Sequence, residues 1–298
     1  MKRAAGTTGW VVATLFLLMV MTGCSPSGRE EPIRISANQW IGYTPLFYAN
    51  EKGWLEQGGF SLKFVSSLSE SLDLFNTRSV DAMASTQYEY FEAKRKNPGV
   101  RPVILFDRSA GGDMILANKP LETVLGSRNI DVYLEQGSIN IVLLKDFCRE
   151  YRLGMERMRL HETNPYDLKE LANDSNRTML VVTYAPYHKD LLAKGFHVVD
   201  STETMETLLV IDALVVHKRL LRRCRDRFEA LKRYIDAAVE VSRRDPKHYF
   251  ETVRPYLGDT DFKSFRTDLA SIRWINRPDG RILEAMARHG IDVDAMIR

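Results

Sequence analysis

From Pro32 onward, short apolar runs alternate with stretches whose apolar residues recur every three or four positions. The first kind reads as strands and the second as amphipathic helices. Ile33 to Trp40 predicts a strand, and Thr44-Pro45 starts a helix with a hydroxyl cap and a proline in its first turn. That helix runs to Gly53, with Leu46, Ala49 and Trp54 available for packing. Phe60 to Ser66 is the next strand, and Ser67-Leu68-Ser69-Glu70 can close a capping box on the helix behind it. Val80 to Ser85 and Pro102 to Phe106 are further strands, and Thr86-Gln87-Tyr88-Glu89 between them is a second candidate box. The middle repeats the theme. Ile130 to Leu134 is a strand, Gln136-Gly137-Ser138 a turn, and Ile139, Val142, Leu143 and Phe147 one face of a helix. Arg157 to His161 is a strand, Asn164-Pro165 opens another helix, and Met179 to Thr183 and Leu208 to Val216 are strands. Beyond Arg219 the pattern is helical, punctuated by Pro246, Pro255 to Gly258 and Pro278 to Gly280. Strands alternating with helices predict α/β layers with helices on both faces of a sheet. Two such blocks followed by a helical tail predict two lobes. The chain leaves the first near Ala110 to Asn118 and returns near Thr204 to Val216, which puts 33–112 and 208–298 in the first lobe and 113–207 in the second.

Before Pro32 the pattern changes. Lys2 and Arg3 precede an apolar run from Trp10 to Met21, followed by Met21-Thr22-Gly23-Cys24. A basic start, a short apolar stretch and small residues mark an export signal over 1–23, and the run is well short of the ~20 residues that a spanning helix needs. The cysteine after a small pair resembles a bacterial lipoprotein signal, with Met21 where leucine is usual; the resemblance implies cleavage before Cys24 and lipid on Cys24. An uncleaved anchor or ordinary secretion are the alternatives. Residues 24–32 read as a polar tether. Removing 1–23, with its two basic residues and no acid, takes the formal charge from +3 to about +1, which does not suit a nucleic-acid partner. Cys148 and Cys224 could pair in an oxidising compartment, but their neighbourhoods look like apolar helix faces and favour buried free thiols.

Motifs of catalysis find little support. The histidines are scattered without zinc-ligand spacing, and no metal or cofactor is expected. Asp107-Arg108-Ser109-Ala110-Gly111-Gly112-Asp113 is not a nucleophile elbow, and neither a phosphate-binding loop nor a dinucleotide fingerprint occurs. What stands out is a set of strand-to-helix junctions rich in small hydroxyls and aromatics. Such junctions lie together at the carboxyl ends of strands, where open α/β sheets bind ligands. The candidates are Trp40, Gly42 and Tyr43, then Ser69, Thr86, Asp113, Ser138 and Tyr184. Each has an ordinary structural reading beside the functional one. Trp40 and Tyr184 suit a core, Gly42 and Asp113 a turn, and Thr86 a helix cap.

Asn38-Gln39-Trp40-Ile41-Gly42-Tyr43-Thr44-Pro45, with Glu51-Lys52-Gly53 behind it, resembles the opening of the nitrate/sulfonate/taurine and thiamine-pyrimidine substrate-binding proteins of ABC importers. Ser79 to Met83, Asp107 to Asp113, Glu135 to Asn140 and Val182 to Pro186 are similar to later motifs of that family. The resemblance spans about Ile33 to Leu221 and implies a type II periplasmic binding fold, with the solute held between lobes by the junction residues above. It also implies delivery of a sulfonate-, nitrate- or pyrimidine-precursor-type solute to an ABC permease and its ATPase. On this reading the protein is a monomeric lipoprotein of the cell envelope and not an enzyme. One departure is Ala185, where an acidic residue is common, so a ligand amine would lose a contact there. The rivals are a sensory partner of a membrane signalling protein and an enzyme of pyrimidine synthesis. The anchor has a direct check. Cell fractionation should find Cys24→Ala soluble or unprocessed and Cys148→Ala distributed like the unaltered protein; membrane-bound, signal-free Cys24→Ala would contradict lipidation.

Overall fold

The computed structural model describes residues 31–205 and 208–297. The export signal and Cys24 lie outside them. Eleven strands are present among the described residues: β1 (Ile33–Ala37), β2 (Phe60–Phe64), β3 (Ala82–Thr86), β4 (Val100–Ser109), β5 (Asp113–Ala117), β6 (Ile130–Leu134), β7 (Met158–Glu162), β8 (Thr178–Tyr184), β9 (His197–Ser201), β10 (Ile211–His217) and β11 (Ile272–Trp274). They form a six-stranded sheet in the order β11-β4-β10-β3-β1-β2 and a five-stranded sheet in the order β7-β6-β8-β5-β9. The chain passes from the first sheet to the second between β4 and β5 and back between β9 and β10.

The central strands are apolar on both sides because both faces of each sheet are covered. On β10, Ile211, Ala213 and Val215 pack into one cluster with Tyr90 and Met286, while Leu214 and Val216 pack on the opposite side with Phe228 and Leu231. On β8, Met179 and Val181 pack with Leu168 and Leu191, and Leu180, Val182 and Tyr184 face the larger core. That larger core includes residues of both sheets. The helix Arg225–Arg244 closes one side of it through Phe228, Leu231, Ile235 and Ala238. Among the described residues no helix is long and apolar enough to cross a membrane.

Local chemistry follows the pattern with informative exceptions. Thr86 Oγ1 accepts the Tyr88 N–H at 3.1 Å and Glu89 Oε2 accepts the Thr86 N–H at 2.9 Å, a complete capping box. Ser67 Oγ accepts the Glu70 N–H at 3.2 Å, but Glu70 reaches back to Ser66 instead of Ser67, so that box is half-formed. The first strand stops at Ala37, leaving Asn38 to Trp40 outside the ladder. Pro165–Glu170 forms a 3-10 turn in place of the expected helix. Several elements have no counterpart in the sequence pattern as read, among them β5, hidden in the expected crossing, β9, and the helices Trp54–Gln57, Leu121–Gly126 and His188–Ala193. The tail is not wholly helical either, because β11 adds an antiparallel edge strand to β4. Three residues with an exposed Arg273 are too few to show strand periodicity. Cys148 and Cys224 are buried free thiols.

Phe228 is fully buried with its ring 5.5 Å from Phe60, edge to face. Chemical unfolding of Phe228→Ala should therefore show a loss of about 3–5 kcal/mol. A loss under about 1 kcal/mol would mean that the long helix is not seated on this core.

Candidate functional site

Strand register brings the junctions into one place. In the first sheet, Asp212 at the start of β10 pairs with Thr86 at the end of β3, and Ile211 pairs with Arg108, next to Asp107 on β4. Antiparallel insertion of β10 therefore puts its first residues at the carboxyl ends of its neighbours. In the second sheet, Asp113 at the start of β5 pairs with Tyr184 at the end of β8. Glu135 follows the end of β6, which runs parallel to β8. These two sheet edges face each other. Trp40, Tyr43, Leu68, Thr86 and Asp212 from the first, with Asp113 and Tyr184 from the second, line a cavity of about 10 Å³, close to the room one water needs.

Close approach around Trp40 shapes the floor. The indole Nε1–H is shared between Asp107 Oδ1 and Oδ2, at 3.3 Å each. A Cβ on Gly42 would lie 1.8 Å from Asp107 Oδ2, and one on Gly112 would lie 2.5 Å from the Trp40 ring. Glycine at both positions lets the indole and the carboxylate fit. Tyr43 Oη donates to Asp212 Oδ1 at 2.5 Å. The Trp40 and Tyr184 rings meet edge to face with centroids 5.9 Å apart, and Asn38 Nδ2 donates to Tyr184 Oη at 2.7 Å. Further bonds span the seam between the sheets. Glu135 Oε1 accepts the Ser69 N–H at 2.6 Å, Glu89 Oε1 accepts the Ile139 N–H at 3.1 Å, and Asn164 Nδ2 donates to Ser66 Oγ at 2.8 Å.

Acids dominate the electrostatics. Asp107, Asp113, Asp212, Glu89 and Glu135 are all buried. Burial is the main cause of the raised pKa of each, since a carboxylate loses its hydration there. It pushes Asp113 and Glu89 up to about 7. Asp107 is held well above the usual range by burial and then by the charge of Asp113, and Asp212 by burial and then by the charges of Asp107 and Asp113. Asp212 in turn helps raise the Tyr43 phenol. Asp113 Oδ2, Asp212 Oδ2 and Glu135 Oε2 are buried without a hydrogen-bond partner.

Of the residues singled out from the sequence, Trp40, Tyr43, Thr86, Asp113 and Tyr184 line the cavity. Gly42 lies behind it against Asp107. Ser69 and Ser138 do not line it. Ser69 donates its N–H to the Glu135 side chain, and Ser138 Oγ donates to the Glu135 carbonyl at 2.9 Å. Asp212, Asp107, Glu89 and Glu135 were not among the candidates from the sequence. Asp212 carried a readable sign, being an acid inside the otherwise apolar run Leu208 to Val216. The alternatives for Trp40, Tyr184 and Thr86 merge, since the aromatics are core residues that line the cavity and Thr86 both caps and lines.

No protein-family model matches the chain, and no curated protein matches its sequence. Solved structures do. The periplasmic aliphatic sulphonate binding protein SsuA of Escherichia coli is 15% identical, with TM-score 0.68 over 87% of this chain and 90% of that one. The zinc-bound ligand binding component of an ABC-type import system from Staphylococcus aureus is 14% identical, with TM-score 0.68 over 90% of this chain and 97% of that one. The periplasmic nitrate-binding protein NrtA of Synechocystis is 11% identical, with TM-score 0.59 over 79% and 69%. The fold is that of the periplasmic binding proteins.

The raised carboxyls make stability depend on pH with a definite sign. Between about 4 and 7 the folded protein keeps protons on Asp113 and Glu89 that the unfolded chain has lost. Each group then removes roughly 1.4 kcal/mol of stability per pH unit as pH rises. His188 opposes them below 6.5, because burial lowers its pKa to about 4. The acids outnumber it, so the melting temperature should fall from pH 5.5 to 7, most clearly above 6.5. A flat or rising profile in thermal unfolding would contradict the buried, uncompensated state of these carboxyls.

Proposed function

We propose that this protein is an extracytoplasmic solute-binding protein that closes two lobes on a small molecule and hands it to an ABC importer. The observation that carries the reading is a cavity lined by side chains from the edges of both sheets. The fold supports it, as do the similar solved structures named for solute binding and ABC import. Lobe I is residues 33–112 with 208–298 and lobe II is 113–207, joined by the two passages between the sheets. The lobes would part along the seam, where hydrogen bonds that water can replace and the ion pair of Lys189 and Asp268 at 2.8 Å stand beside the Trp40–Tyr184 ring contact. In the closed form the cavity, about 10 Å³, is far below the ~300–1,000 Å³ of drug-sized sites, so the lobes would have to part to admit a solute. Closure on a small solute would thus remove it from water, and the closed form would present one fixed surface to the permease. Lipid on Cys24 would keep the protein on the outer side of a membrane, with 24–32 as its tether. The protein would act as a monomer and without catalysis.

A thermal-shift screen with sulfonates, nitrate, pyrimidines, flavins and amino acids tests the binding role. A bound solute at about 100 times its Kd should add ~2.7 kcal/mol of stability. For the solute so found, Tyr184→Ala should lose about 2 kcal/mol of binding, near 30-fold in Kd. Phe228→Ala, whose ring packs on Phe60, should bind normally despite its weaker fold. Equal losses in the two variants by calorimetric titration would remove the cavity as the site, and turnover of the solute would replace binding with catalysis.

A further inference from the structure

The reading above leaves the solute open, and the cavity lining narrows it. Its seven residues include two carboxylates, Asp113 and Asp212, and no Lys, Arg or His. Each carboxylate is buried, and each keeps one oxygen, Oδ2, without a hydrogen-bond partner. Tyr43 Oη occupies Asp212 Oδ1, and the Asp113 backbone N–H is used by Ser109 Oγ at 3.1 Å. Beside the cavity, Asn38 turns its Nδ2 to Tyr184 and leaves Oδ1 unpartnered. Buried acceptors without donors are costly, and buried carboxylates more so, unless a donor-bearing partner of opposite charge enters. The aromatic rings of Trp40 and Tyr184 add surfaces that attract an organic cation. A bare metal ion fits less well. Among the described residues no group of three or more His, Cys, Asp or Glu side chains is arranged to hold one.

We infer that the solute is a small organic cation carrying N–H donors, of the ammonium or amidinium type, with Asp113 and Asp212 as its counter-charges. This rests on the proposal that the cavity is a solute site, and it departs from the anionic solutes in the names of the sulfonate- and nitrate-binding structures. An anion could enter only if the two acids were protonated and donated to it. Asparagine can supply such a donor but not the negative charge, so Asp→Asn separates the two cases.

The test is calorimetric titration of the full chain and of Asp212→Asn and Asp113→Asn. The probes are ethanolammonium, agmatine and guanidinium chlorides, with ethanesulfonate, nitrate and zinc chloride beside them. At least one organic cation should bind the unaltered protein, and each variant should weaken it at least tenfold. Each variant removes a buried carboxylate, so its melting temperature should hold or rise, which separates lost charge from lost fold. Binding of ethanesulfonate or nitrate, retained in Asp212→Asn, would overturn the cation and leave the solute-binding role standing. So would binding of zinc with the organic cations inert, or a cation bound equally by the variants. If no probe of either charge binds, the cation is overturned, and a blank result in the wider solute screen as well would overturn the solute-binding role.

Discussion

Three aspartates lie out of water at the seam between two sheets, and among the described residues none of them has an ion-pair partner. A carboxylate in such a place must either hold a proton or meet a positive charge. Much of the surrounding structure serves that constraint. The Trp40 indole is spent on Asp107, the Tyr43 phenol on Asp212, and Gly42 is small so that Asp107 can stand against the chain. What these partners leave over is one unpartnered oxygen each on Asp113 and Asp212, two residues that line the same small cavity.

Topology makes the arrangement possible. Strand β10 enters antiparallel between β3 and β4, so Asp212, although far along the chain, lies next to Thr86. Strand β5 does the same for Asp113 beside Tyr184. Each returning strand thus adds an acid to an edge otherwise built from helix starts. The seam bonds from Ser69 to Glu135 and from Ile139 to Glu89 use backbone N–H groups at helix starts to hold the remaining acids. These N–H groups could have held an anion. Here they are occupied by the protein's own carboxylates.

The sequence was legible where physics is local. Ile130–Leu134 is a strand with the bounds its apolar run predicts, and the box from Thr86 to Glu89 closes as its residue types require. Trp40, Tyr43, Thr86, Asp113 and Tyr184 converge because junctions gather at strand ends. Pairings across the chain were not legible. Asp107 meets Trp40, and Asp212 meets Tyr43, through contacts 67 and 169 positions apart. Ser69 and Ser138 carry the right chemistry, but Glu135 takes up both of their bonds, a competition that residue type alone does not reveal. β11 was missed because three residues display no period.

The most direct measurement is a carboxyl-carbon NMR titration of the solute-free protein with Asp107, Asp113 and Asp212 individually assigned. The account predicts a midpoint near 7 for Asp113 and midpoints above the ordinary carboxylate range for the other two. All three titrating at about 3–4.5, as hydrated aspartates do, would contradict it.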